Sequence, residues 1–409
     1  MDILLNVLEN KKINENITIS GSKSESNRLL ILQKLFSEIT IENLSDSDDS
    51  VHMQHALSTN DKIVNIGHAG TAMRFLTSYF AANNGRETVL TGSERMQNRP
   101  IEILVNALRD IGATISYEDK VGYPPIRIQG TKITKEKVQI NGNVSSQYIS
   151  SLLLIASKLE NGLEIELIGK ITSVPYINMT LSLLNHLDIE NSFQGNMIKV
   201  FHKKEIKKQT IVVESDWSSA SYFYSIIALA AVGSEITLSA YKKESLQGDS
   251  CLVEIYKHFG VETIFSENSI NLKKVTKSNK EILEIDLKNA PDIAQTIAVT
   301  CFAEGVACTL TGLHTLKIKE TDRLEALNDE LTKLGAMISV TDISLHLERS
   351  TVINENISIK TYNDHRMAMA FAPLALKVPI QILNAEVVTK SYQKFWEDMQ
   401  QIGIKIDKL

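Results

Sequence analysis

One pattern recurs six times and constrains any fold this chain can adopt. A turn of small and polar residues runs into about ten residues rich in Ala, Ser, Leu and Ile. It begins at Gly21 (GSKSESNRLLILQKL), Gly67 (GHAGTAMRFLTSYFA) and Asn143 (NVSSQYISSLLLIAS), then at Ser215 (SDWSSASYFYSIIAL), Ala290 (APDIAQTIAVTCFAE) and Asn363 (NDHRMAMAFAPLALK). Each reads as a helix start leading into a buried helix. A short alternating strand follows each time: SEITIENL, RETVLTG, GLEIELIG, SEITLSA, VACTLTG and VPIQILNA. After a polar turn comes a second, more amphipathic helix, as in RPIEILVNALRDIG, DRLEALNDELTKLG and YQKFWEDMQQIG, several ending in a Gly stop. A further strand closes most units, as in ATISYED and AMISVTD.

The starts are spaced by roughly 72–76 residues, except for a shorter first unit. A period this long implies supersecondary units packed into lobes rather than a thin solenoid. The chain has 409 residues, more than one core normally serves. Three units per lobe divide it near residue 213. The expected α/β (α+β) chain therefore has a first lobe at 20–213 and a second at 1–19 plus 214–409. The amino-terminal strand is expected to join the second lobe, near the last strand IGIKID.

Bulk properties exclude several classes. A net charge of -6 argues against a general nucleic-acid binder, while leaving room for a local basic pocket. The cysteines Cys251, Cys301 and Cys308 form no disulfide framework, which fits a reducing compartment. The apolar stretch near the amino terminus is too short and acid-flanked for a signal peptide. The longest apolar run, around Tyr222 to Val232, falls short of the roughly 20 residues that span a bilayer. A cytoplasmic protein with no membrane partner is expected.

The turns of the repeat hold most of the unusual residues. Helix starts carry Lys23, Ser24, Arg28; Gly70, Thr71, Arg74; Ser145, Ser146, Gln147; Asp292; and His365, Arg366. Other turns add Arg95, Arg99, Ser173, Tyr176, Lys319, Glu320, Arg323 and Lys390. Free N–H groups at helix starts suit anions. With about eight cations as well, the pattern suggests two or more anionic groups, carried by one substrate or by two. Asp292 and Glu320 stand out in this cationic setting as a pair for acid–base work. Nearby cations lower both pKa values, which favours a base over a resting acid.

Taken singly, each feature has a plainer reading. A Ser or Asp at a helix start is usually a cap. KETDR can be a solvated helix turn, and DHR a surface turn. GSKS lacks Walker A spacing, and nothing near His365 has metal-ligand spacing. No GxGxxG opens a unit and no GxSxG is present. The functional reading rests on cations and hydroxyls falling at one phase of the repeat.

Together, GSKSESNR, GHAGTAMRF, TGSERMQNRPI, SSQYISSLLL, PDIAQTIA, KETDRL and DHRMAMAF resemble the motifs of the 5-enolpyruvylshikimate-3-phosphate synthase family of enolpyruvyl transferases, in order along essentially the whole chain. The resemblance implies a two-domain inside-out α/β barrel of six βαβαββ repeats, three per domain, with the active site in the cleft. It implies transfer of the enolpyruvyl group of phosphoenolpyruvate to the 5-hydroxyl of shikimate 3-phosphate by addition and elimination, the sixth step of the shikimate pathway. No metal or organic cofactor is implied, and a monomer is expected. By family pattern Lys23, Ser24, Arg28, Ser145, Ser146, Gln147, Ser173, Tyr176, Asp292, Thr315 and Lys319 meet shikimate 3-phosphate. Lys23, Gly70, Arg95, Gln147, Glu320, Arg323, His365, Arg366 and Lys390 meet phosphoenolpyruvate. Asp292 is the implied base, Glu320 the implied proton donor, and Lys23 touches both substrates. Bound anions should draw the two cationic lobes together.

Three positions depart from the family pattern. His68 stands where Asn is common, Thr315 where some members carry a longer Asn, and Phe75 where some carry Pro. Gly70 should leave space beside phosphoenolpyruvate, implying sensitivity to glyphosate. Three rivals remain. The sister UDP-N-acetylglucosamine 1-carboxyvinyltransferases generally use a Cys that TGSERMQNRPI lacks. A non-catalytic phosphate-metabolite sensor would not need Lys23, Asp292 and Glu320 together. An RNA 3′-phosphate cyclase sits poorly with the acidic charge.

Overall fold

The computed structural model describes residues 1–7, 12–143, 145–171, 174–278 and 281–409. The chain divides into two compact units, Gly21–Val213 and Met1–Ser20 with Glu214–Leu409. Each has its own hydrophobic core.

In Gly21–Val213 the helices Lys23–Leu35, Gly70–Ala82 and Ser146–Ala156 are buried. Every residue from Gly70 to Ala81 is buried, as expected of a helix with no polar face. Neighbouring central helices join through hydroxyls at equivalent phases of the repeat: Ser78 Oγ donates to Ser151 Oγ at 2.9 Å. Gln147 at one helix start reaches Thr71 at the next, so the two helices run parallel with their starts level. Amphipathic helices at Asp48–Ser58, Glu102–Asp110 and Val174–His186 complete the repeats.

Small sheets cover the helices. Ile63–Asn65 pairs in parallel with Glu87–Thr91, which pairs antiparallel with Ile126–Gln129, itself antiparallel to Thr114–Tyr117. The next repeat uses the same order with Lys137–Asn141, Leu163–Ile168, Met197–Val200 and Asn191–Gln194. Parallel neighbours need a crossover, which the buried helix supplies. Alternate residues are buried, as in Ile126–Gln129, so one face packs on the helices. Among the described residues the first repeat has only the parallel pair Ile39–Glu42 with Gln209–Val212. It lacks the antiparallel hairpin of the others, which accounts for its shorter length.

The other unit repeats this plan. Trp217–Leu229, Ala294–Glu304 and His365–Phe371 are the central helices. Ser221 pairs with Thr296 at 3.0 Å and Thr300 with Ser225 at 2.8 Å, holding the first two in register. The third has seven α-helical residues, short of the ten expected. Pro373 lacks an N–H, and the chain tightens into a 3-10 turn at Ala372–Leu376. Asn14–Ile17 pairs with Glu235–Ser239, and Ile3–Val7 lies between Ile380–Ile382 and Ile404–Lys408. The last strand thus pairs beside the first, as its sequence suggested. The second helix of the fourth repeat is broken: a 3-10 turn at Gly248–Cys251, one α-turn at Leu252–Ile255, then a 3-10 turn at Tyr256–Phe259. Buried Lys274 gives Nζ hydrogen bonds to the carbonyls of Ala228 (2.5 Å) and Phe259 (2.7 Å), satisfying the ends of two helices.

Candidate active site

In the unit holding Glu214–Leu409 the three central helix starts converge on Asp292. Asp292 follows Pro291 in a 3-10 turn that leads into the Ala294 helix. Its Oδ1 accepts from Arg323 Nη1 at 2.8 Å and lies 3.3 Å from Lys319 Nζ. Arg366 reaches its Oδ2 at 3.4 Å and its carbonyl at 3.3 Å. Burial pushes the Asp292 carboxyl up. The cations Lys319, Arg366 and Arg323 outweigh that and hold it well below the usual carboxylate range. Asp292 is therefore ionised at any ordinary pH.

Arg323 is the hub. Its side chain is 2% exposed and meets three carboxylates. Nε donates to Asp364 Oδ2 at 2.7 Å, Nη1 to Asp292, and Nη2 to Glu320 Oε2 at 2.8 Å. Burial disfavours its charge, but Asp364, Glu320 and Asp292 restore it and raise its pKa. Asp364 is fully buried and also caps the His365 helix, accepting from the Arg366 N–H at 2.8 Å. Tyr362 and Asn363 precede it with φ of +53° and +55°. This left-handed pair is anchored by the Tyr362 hydroxyl on Glu330 at 2.7 Å. Lys390 Nζ donates to the Asn363 carbonyl at 2.6 Å, bringing it to the same helix start. His365 is buried, its Nδ1 3.9 Å from Asp364. The Thr315 hydroxyl is buried and meets no hydrogen-bond partner among the described residues.

In Gly21–Val213 the expected residues also gather at helix starts, but several cations face inward. Arg28 is 2% exposed. Nε donates to Thr180 Oγ1 at 2.7 Å, Nη1 to the Ser24 carbonyl at 2.7 Å, and Nη2 to Ser150 Oγ at 3.0 Å and the Tyr176 carbonyl at 3.3 Å. Burial lowers its pKa to about 10. Arg28 thus ties the Lys23 and Ser146 helices to the Tyr176 turn and leaves Lys23 and Ser24 half-exposed. Arg74 is also buried, bonding to the carbonyls of Gly70 (3.0 Å) and Pro100 (3.4 Å). Gly70 has a close neighbour: a Cβ there would lie 2.5 Å from Arg99 Nη1. The space expected beside Gly70 is filled by Arg99. Arg95 is exposed on the short helix Glu94–Gln97. Ser145 caps the Ser146 helix by accepting from the Gln147 N–H at 3.3 Å, while the Gln147 side chain is held by Thr71 at 3.1 Å. Exposed His68 lies 3.7 Å from Asp48. Ser173 lies outside the described residues.

Three residues of the convergence were not singled out from sequence. Asp364 was visible in DHR beside His365, and Ser218 lies in SDWSSA, a helix start from which no residue had been selected. Asp249, in SLQGD, is not at a central helix start, so the phase of the repeat could not select it. It accepts from Ser218 Oγ, and Ser218 in turn accepts from Arg366 Nη2 at 3.2 Å. Burial, then the negative charge of Asp292, pushes Asp249 up to about 6. Among the described residues no group of three or more His, Cys, Asp or Glu could hold a metal ion. No described helix is long and apolar enough to cross a membrane.

Comparison with known proteins agrees over nearly the whole length. The family model for EPSP synthase (3-phosphoshikimate 1-carboxyvinyltransferase) matches residues 57–399. A 3-phosphoshikimate 1-carboxyvinyltransferase of Bacteroides fragilis is 45% identical over 399 residues, covering 97% of each chain. One from Mannheimia haemolytica is 34% identical, covering 96% of this chain and 98% of the relative. In structure the chain is similar to EPSP synthase from Acinetobacter baumannii (TM-score 0.82, 22% identity, all of both chains). It is also similar to the enolpyruvyl transferase NikO from Streptomyces tendae (TM-score 0.72, 15% identity, 99% of this chain and 98% of that one). On sequence, fold and the ordering of its motifs, the chain belongs to the EPSP synthase family of enolpyruvyl transferases.

Proposed function

We propose that the chain transfers the enolpyruvyl group of phosphoenolpyruvate to the 5-hydroxyl of shikimate 3-phosphate and releases phosphate. The observation that carries this reading is Asp292, held ionised by Lys319, Arg323 and Arg366 beside Glu320. A general base must be unprotonated at rest, and an anionic substrate needs cations.

In this reading Lys23, Ser24, Ser145, Ser146, Gln147, Ser173 and Tyr176 hold the shikimate phosphate and ring, with Arg28 fixing the Ser24 and Tyr176 segments. Lys319, Asp292 and Thr315 face the ring hydroxyls. The residues assigned to phosphoenolpyruvate are Lys23, Gly70, Arg95 and Gln147 in one unit and Arg323, His365, Arg366 and Lys390 in the other. The 5-hydroxyl oxygen attacks C2 of phosphoenolpyruvate as Asp292 takes its proton and Glu320 protonates the methylene. The tetrahedral adduct then returns a proton from the new methyl group to Glu320, and the C2–O bond to phosphate breaks as Asp292 gives its proton to the departing phosphate, restoring the double bond. Because its cations make Asp292 a weak base, proton transfer must accompany attack rather than precede it. The reading needs no cofactor and places a monomer in the cytoplasm.

The test is phosphate release from phosphoenolpyruvate with shikimate 3-phosphate, and separately with UDP-N-acetylglucosamine. Release with the first alone is expected, and D292A and E320Q should each lower kcat by about 100-fold or more. Release only with the UDP-sugar would refute the substrate assignment.

A further inference from the structure

Asp249 has no role in the reaction as proposed, yet it is held in place by an extensive network. It ends the segment Ser245–Leu246–Gln247–Gly248–Asp249, which is fastened to the start of the Trp217 helix. Buried Glu214 accepts from Trp217 Nε1 at 2.8 Å, the Lys242 N–H at 3.0 Å and Ser245 Oγ at 2.7 Å. Gln247 Oε1 accepts the Trp217 N–H at 3.0 Å, and its Nε2 donates to the Ser215 carbonyl at 2.9 Å. These bonds fix Asp249 against Ser218, and Ser218 against Arg366.

The direction of the chain follows from the donors. A serine hydroxyl has one proton. Ionised Asp249 can only accept, so it takes that proton in a charge-assisted bond. The oxygen of Ser218 is then left with lone pairs alone, which face Arg366 Nη2. Arg366 comes from a different helix start and is otherwise held by Asp292 through contacts of 3.3 and 3.4 Å. Two such contacts leave a guanidinium free to pivot, and a third acceptor from another element fixes its plane. Without Asp249 the hydroxyl can rotate and turn its proton toward Arg366.

We propose that Asp249, acting through Ser218, is a positioning residue that sets the orientation of the Arg366 guanidinium toward phosphoenolpyruvate. This rests on the reading that Arg366 meets phosphoenolpyruvate. Asp249 itself touches no substrate. Its effect should therefore be confined to one substrate, and Asp249 and Ser218 should act in series.

The experiment is steady-state kinetics on purified full-length S218A, D249A, D249N, S218A/D249A and R366K, with folding checked by thermal melting. S218A and D249A should each raise KM for phosphoenolpyruvate about tenfold, with kcat within about twofold and KM for shikimate 3-phosphate unchanged. The double variant should match the singles, because removing either link breaks the same chain. D249N keeps an oxygen that accepts the Ser218 proton and should stay within about threefold of wild type. If D249A does not fold, S218A and D249N carry the test. Effects that multiply in the double variant, or a matching rise in KM for shikimate 3-phosphate, would overturn the proposal. R366K leaving KM for phosphoenolpyruvate unchanged would refute the reading of Arg366 and the proposal with it. R366K raising KM while S218A does not would refute the proposal alone.

Discussion

Arg323→Met tests whether the buried guanidinium holds its unit together as well as its site. The side chain is 2% exposed and bridges Asp364, Asp292 and Glu320. Met fills similar length but brings no charge. Asp292 keeps Lys319 and Arg366, and Glu320 is part-exposed, so both have other means of stabilisation. Asp364 is fully buried and loses its strongest partner. Breaking a buried pair from one side costs about 3–5 kcal/mol. At a urea slope of about 2–3 kcal/mol/M this lowers the midpoint by roughly 1–2.5 M. Both tryptophans, Trp217 and Trp396, lie in the affected unit, so their fluorescence reports on it selectively. Adding Asp364→Asn should restore about 2 kcal/mol or more, since Asn removes the stranded charge and keeps an oxygen to cap the His365 helix. A loss below about 1 kcal/mol in Arg323→Met, or no recovery in the double variant, would refute the reasoning.

Three further outcomes are expected. Asp292 has a native pKa below its unfolded value of about 3.9, so its contribution is present above that value and lost as pH falls through the native one. Asp292→Asn should therefore flatten the acid limb of stability below about pH 4, read by tryptophan fluorescence. Asp249 is shifted the other way, up to about 6. The native state then holds the extra proton between about pH 4 and 6, and stability falls as pH rises through that window. Asp249→Asn should match wild type near pH 4 and exceed it at pH 7–8 by about 1–2 kcal/mol, discounted from about 3 for partial exposure; equal stability at both pH values would contradict this. Lys274→Met strands the carbonyls of Ala228 and Phe259 and should destabilise by about 2 kcal/mol in urea, because relief of a buried ammonium offsets only part of the loss.

The repeat was legible because each unit buries one helix with no polar face, and that leaves a mark within fifteen residues. The reason for the short first unit was not. Its sheet is finished by Gln209–Val212, far along the chain, and no local pattern encodes that partner. Lengths were less legible than positions. Pro373 truncates the sixth central helix, and the second helix of the fourth repeat breaks into 3-10 turns around one α-turn. At the candidate site, sequence shows charge but not direction. Arg28 and Arg323 look alike as cations in a turn. One binds carbonyls and hydroxyls, the other carboxylates. Gly70 signalled room, yet the nearby guanidinium of Arg99 takes it up. Asp249 became visible only with its three-dimensional neighbours, because its segment is fastened by contacts about 30 residues apart.

The borrowed strands have a consequence for the order in which the chain can be assembled. Gly21–Val213 is continuous, whereas Ile3–Val7 and Asn14–Ile17 must wait, unpaired, for partners near residues 235 and 404. A ribosome adding about 5–20 residues per second leaves those apolar edges open for tens of seconds. Asp2 and Leu409 are adjacent, with the Leu409 N–H on the Asp2 carbonyl at 3.0 Å. Joining them through a short linker and reopening the backbone between Ser20 and Gly21 would make both units continuous. Such a circular permutant would keep every strand pair and remove the wait.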